Sequence, residues 1–75
     1  MGSASTLDDI GKVHWIQGQT DDAFHYFDSA LELRREIGEK RSIALSLNHI
    51  GSLHMQRGEF NEAMKYAKEA LELRR

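Results

Sequence analysis

Apolar and small residues return every three to four positions along nearly the whole chain, the spacing that lines one side of an α-helix. Leu7, Ile10, Gly11 and His14 form one such line, and Leu47, Ile50, Gly51 and His54 form its counterpart. Each is followed by a second line: Ala23, Tyr26, Phe27, Ala30 and Leu31 in one case, Ala63, Tyr66, Ala67, Ala70 and Leu71 in the other. The pattern predicts four helices, near residues 4–17, 20–37, 40–57 and 60–75, paired as two hairpins whose apolar lines face each other. Small residues along those lines let the paired helices approach closely, which makes Gly11 and Gly51 packing glycines. Gly18 and Gly58 stop the first helix of each pair, because glycine enters the left-handed conformation that ends a helix without steric cost. Asp21 and Asp22 after the first stop, and Asn61 and Glu62 after the second, supply caps and negative charge to the next helix. Between the hairpins Gly38 is the single break signal among good helix formers. A bent connection is expected there, the alternative being a rod over residues 20–57 with exchange of hairpins between two chains.

The two hairpins are one unit written twice. Residues 1–35 laid over 41–75 agree at 14 positions: Ala4/44, Leu7/47, Ile10/50, Gly11/51, His14/54, Gly18/58, Ala23/63, Tyr26/66 and the whole of Ala30 to Arg35 over Ala70 to Arg75. A fixed period between about 20 and 50 residues marks a solenoid, in which each unit buries its apolar face by stacking on its neighbour. The expected fold is therefore all-α: one domain over residues 4–75, with repeat 1 at 4–38 and repeat 2 at 40–75 stacked as a short right-handed α-solenoid. Met1, Gly2 and Ser3 read as an expression leader and receive no functional weight.

Composition narrows the function classes. With 75 residues there is room for one small domain with a thin core. Without cysteine there is neither a disulfide framework nor a thiolate metal site, which points to a reducing, cytoplasmic setting. No apolar run approaches the roughly 20 residues of a membrane-spanning helix. A net charge of −2 with both signs interspersed leaves no basic stripe for a phosphate backbone, so neither a membrane nor nucleic acid is an expected partner.

Taken together, these positions resemble the tetratricopeptide repeat family, and its longer branch with a period near that seen here. The second hairpin carries the motif as Leu47, Ile50-Gly51, His54, Gly58, Phe60, Ala63, Ala67 and Ala70 to Leu73; the first carries it as Leu7, Ile10-Gly11, His14, Gly18, Thr20, Ala23, Phe27 and Ala30 to Leu33. The chain departs from it with His14 and His54 at the family's tyrosine, Thr20 and Ala67 at two of its aromatics, and no closing proline. The resemblance implies a scaffold, not an enzyme, that binds an extended peptide or partner surface along the wall formed by the first helix of each hairpin. Carried over position by position, the binding residues are Ser5, Asp8, Lys12, Trp15 and Ile16 from repeat 1 and Leu45, Asn48, Ser52, Met55 and Gln56 from repeat 2. Helical spacing also sets these opposite the hairpin seam. The family's carboxylate clamp is missing, since Asp8 and Leu45 stand where it has lysines, so chaperone-tail binding is not expected.

The remaining candidates have plainer explanations. His49 and His54 are five apart and His14 and His25 fall on different helices, so no i, i+4 chelate forms; neither metal nor cofactor is expected. Asp21 and Asp22 cap a helix more simply than they form an acid/base pair, and Arg34, Arg35, Arg74 and Arg75 sit late in helices where positive charge is favourable. Trp15 is open to two readings, a wedge between neighbouring first helices or an anchor for a ligand. The chain also resembles a fragment of a longer array. In that case Met64, Ala67 and Leu71 of the last helix would lie uncovered, and self-association through them as a homodimer is the alternative function.

Overall fold

A computed structural model describes residues 3–74; Met1 and Gly2 of the expected leader, and Arg75 of the repeated arginine pair, lie outside them. Four helices follow one another, α1 (Ala4–Ile16), α2 (Thr20–Ile37), α3 (Lys40–Gln56) and α4 (Phe60–Arg74). Ser3 has a structural task after all: its hydroxyl accepts from the Thr6 N–H at 3.2 Å and caps α1.

Both hairpin turns are built alike. Gly18 and Gly58 take φ of 79° and 80°, and the backbone closes with the pair of hydrogen bonds typical of a glycine-terminated helix. The Gly18 N–H reaches the Trp15 carbonyl at 3.0 Å and the Gln19 N–H reaches that of His14 at 2.8 Å; Gly58 to Met55 and Glu59 to His54 repeat this at 3.0 and 2.9 Å. The histidine side chains lock the same turns. His14 Nδ1 bonds the Gln19 amide oxygen and its ring stacks on Tyr26 at 5.3 Å, while His54 Nδ1 meets Glu59 at 2.9 Å and stacks on Tyr66 at 5.3 Å. Gly38 is also left-handed at φ 80°, with its N–H on the Arg34 carbonyl at 2.9 Å, so the chain bends between hairpins and α3 folds back against α2.

The Cα trace spans 34 × 32 × 13 Å, a flat arrangement. Each helix packs chiefly on its neighbours in sequence. One core group joins Ala23 and Phe27 of α2 to Ile50 and Leu53 of α3, and a second joins Ile43, Ala44 and Leu47 of α3 to Ala70 of α4. Phe27, Leu47, Ile50 and Leu53 are fully buried, and each contributes about 1.5–3 kcal/mol by leaving water. Close approach is uneven between the repeats: Gly11 lies against the ring of Phe27, not against a small residue as the sequence implied, whereas Gly51 faces the Tyr66 Cβ and the backbone at Ala63 and Ala67.

Candidate functional site

Helices α1 and α3 carry the positions expected to bind a partner. Of these, Ser5, Lys12, Ile16, Leu45, Ser52, Met55 and Gln56 are exposed, and Trp15 and Asn48 are half-buried. Ile16 is 86% exposed, Leu45 43% and Met55 51%, so three of the expected binding residues are apolar side chains standing in water.

Asp8 is the exception and is withdrawn from the binding set. It is buried, and its Oδ2 pairs with Arg34 Nη1 at 2.7 Å. The same guanidinium nitrogen donates to Ser46 Oγ at 2.6 Å, so Arg34 ties α1, α2 and α3 together from within. His49 completes the group, with Nδ1 3.6 Å from Asp8 Oδ1 and its ring 4.9 Å from that of Phe27. Neither Asp8 Oδ1 nor His49 Nδ1 has a hydrogen-bond partner. Burial holds the His49 pKa below its ordinary 6.5; Asp8 pulls it up, and Lys12 and Arg34 push it down. Sequence reasoning assigned Arg34 only to the helix dipole and gave His49 a packing or surface role rather than a metal, because the partners of both lie on other helices.

Trp15 acts as a wedge. Its ring meets Phe27 edge-on at 6.3 Å and its indole N–H donates to the Gln56 side chain, which bridges α1 to α3. A second inter-repeat contact is carried at the turn by Arg57, which pairs with Asp21 at 2.7 Å and lies 5.2 Å over the Phe24 ring. Asp28 and Tyr66 border a cleft with His54, Arg57 and Glu59. Burial raises both pKa values, helped by Glu32 at Asp28 and by the carboxylate of Asp28 at Tyr66.

Repeat 2 differs from repeat 1 at one place in particular. Ala67 stands where repeat 1 has Phe27, the ring that closes over Gly11. Without that ring, a cavity of about 330 Å³ opens above Gly51, lined by Asn48, Ser52, Met55, Ala63 and Ala67. It brings together three of the predicted binding residues and one predicted for self-association. The other two of that second set, Met64 and Leu71, are 68% and 56% exposed on α4. Among the described residues no group of His, Asp and Glu is placed to hold a metal ion, and no helix is long and apolar enough to cross a membrane.

A family model described as tetratricopeptide repeat matches residues 2–75. No curated protein and no solved structure gives a match.

Proposed function

The chain belongs to the tetratricopeptide repeat family, whose members are protein-interaction modules and typically not enzymes; on that premise we propose that this one grips an extended peptide along α1 and α3, with a bulky apolar side chain of the peptide seated in the cavity over Gly51. The observation that carries the reading is that cavity, which repeat 2 has because Ala67 replaces an aromatic ring. A site of this kind is mostly apolar with few polar groups to fix orientation, and the lining fits: Met55, Ala63 and Ala67 make the walls, and Asn48 and Ser52 offer donors and acceptors to a peptide backbone. Ile16 and Leu45 add exposed apolar side chains on the same two helices, and Lys12 and Gln56 add polar ones. The central pocket is where binding energy concentrates, surrounded by contacts that mainly exclude water.

Ala67→Phe tests the proposal, because it supplies the ring that Phe27 provides in repeat 1 and fills the cavity with a side chain the fold already tolerates over a glycine. Peptides selected from a displayed random library should carry an aromatic or large aliphatic anchor. Titration by fluorescence anisotropy should then show at least a tenfold loss of affinity for Ala67→Phe and for Met55→Glu. Selected peptides that bind Ala67→Phe as tightly as the original chain would overturn the assignment of the cavity.

A further inference from the structure

The contacts that join repeat 2 to repeat 1 can be read once more at an offset of 40 residues, where their counterparts lie on two uncovered edges of the molecule. Trp15, Phe24, Phe27, Leu31 and Arg34, which receive α3, are buried or half-buried; Met55, Met64, Ala67, Leu71 and Arg74 are exposed. On the incoming side, Ser46 and Leu53 are fully buried, while Thr6 is exposed and Val13 is 52% exposed. One edge of α3 and α4 thus has the form of a surface that receives a helix. The outer edge of α1 has the form of the helix received.

The polar residues change in step. Inside the molecule the receiving side supplies Asp8 with Arg34, and α3 supplies Ser46 and His49. On the open edges the receiving side has Asn48 with Arg74, and α1 has Thr6 and Asp9. The carboxylate has moved from the receiving side to the incoming side, so that each interface still holds one guanidinium and one carboxylate. The Trp15 and Gln56 contact becomes Met55 with Ile16, a polar bridge replaced by two exposed apolar side chains. The pair of Arg57 and Asp21 becomes Gln17 with Asn61, both neutral.

We propose that a second copy of this chain docks its α1 on the α3–α4 edge of the first, head to tail, with Arg74 meeting Asp9 and Thr6 of the second copy, and Met55 meeting Ile16. The contact is heterologous: it uses two different surfaces and leaves one of each free, so assembly grows with concentration instead of closing at a dimer.

Val13→Glu blocks the head and Met64→Glu blocks the tail, both at exposed positions outside the core. By light scattering, the unaltered chain should rise above its 8.6 kDa mass as concentration increases. Each variant alone should remain a monomer, and their equimolar mixture should reach twice that mass, because one free tail meets one free head. Ala67→Phe should strengthen the assembly, since it restores the ring on which α3 packs within the molecule, even as it removes peptide binding; the two readings therefore fail separately. A mixture that stays monomeric overturns the proposal, as does a Val13→Glu chain that dimerises alone through tail-to-tail contact. Association that survives in both single variants would indicate hairpin exchange around Gly38 and also overturn it. Circular dichroism checks that helix is retained, and Asp9→Arg with Leu71→Glu repeats the experiment at other exposed positions on the two edges.

Discussion

Gly11→Ala and Gly51→Ala add the same methyl group at equivalent positions of the two repeats, and their surroundings demand opposite outcomes. In a helix interior alanine is favoured over glycine by about 1 kcal/mol, and that gain is common to both. At Gly51 the new Cβ would sit 3.4 Å from the Tyr66 Cβ and 3.5 Å from the Ala63 carbonyl, at the close end of ordinary contact. At Gly11 it would sit 2.8, 3.0 and 3.2 Å from three carbons of the Phe27 ring. That ring cannot retreat: it is fully buried, with Trp15 against it at 6.3 Å and His49 at 4.9 Å. Overpacking of this sort costs about 1–3 kcal/mol. Gly51→Ala should therefore stabilise by up to about 1 kcal/mol and Gly11→Ala destabilise by about 1 kcal/mol. For a domain of this size the two melting temperatures should differ by roughly 8–16 °C, from about 4–8 °C per kcal/mol. Thermal and urea unfolding followed by circular dichroism measure the melting temperatures and the free energies, with Trp15 fluorescence as a second probe. Phe27→Leu should relieve part of the clash, so that the Gly11→Ala, Phe27→Leu double variant is more stable than the sum of the singles. A Gly11→Ala chain as stable as Gly51→Ala would refute the packing argument.

Three further outcomes are expected from the inter-repeat contacts. Arg34→Met strands the buried Asp8 carboxylate and should cost about 3–5 kcal/mol, whereas the Asp8→Leu, Arg34→Met double variant should unfold at a urea midpoint much nearer the original. His49 is held below its ordinary pKa of 6.5, so below that pH the unfolded chain takes up a proton that the folded chain resists. The resulting stability is complete above pH 6.5 and is lost as pH falls through the folded value; urea midpoints between pH 7.5 and 5.5 should drop more for the original chain than for His49→Gln. Asp21→Ala removes an ion pair whose carboxylate is 86% exposed and should change the unfolding free energy by less than about 1 kcal/mol, although the pair links the two repeats.

Which features were legible from sequence depends on where their causes lie. The helices and both hairpin turns follow from residues within a few positions of one another: the apolar spacing, the left-handed glycines, and the His14 and His54 side chains that fold back on Gln19 and Glu59. The burial of Asp8 does not, because its cause is α3 arriving from the next hairpin with Ser46 and His49. On α1 alone, a carboxylate opposite the seam reads as solvated. Trp15 was ambiguous for the same reason, since the partner that fixes it is Gln56.

The comparison of the two repeats supplies what neither repeat supplies alone. Identity at the 40-residue offset falls largely on positions that work inside a hairpin: Gly18/58 in the turns, His14/54 on Tyr26/66, and Ala23/63 and Ala30/70 along the seam. Difference falls on positions that meet a neighbouring hairpin: Asp8/Asn48, Trp15/Met55, Phe24/Met64, Thr6/Ser46, Asp9/His49 and Ile16/Gln56. Contacts within a hairpin face the same partner in both copies and so demand the same residue, while contacts between hairpins face a different partner each time. Arg34/74, Leu31/71 and Ile10/50 are exceptions, identical although Arg34, Leu31 and Ile50 join the repeats. Phe27 and Ala67 belong to both groups, since that position packs on the glycine of its own hairpin and on the helix of the next. Its change from ring to methyl is therefore the one substitution that opens space within a hairpin while altering what the outer face can receive.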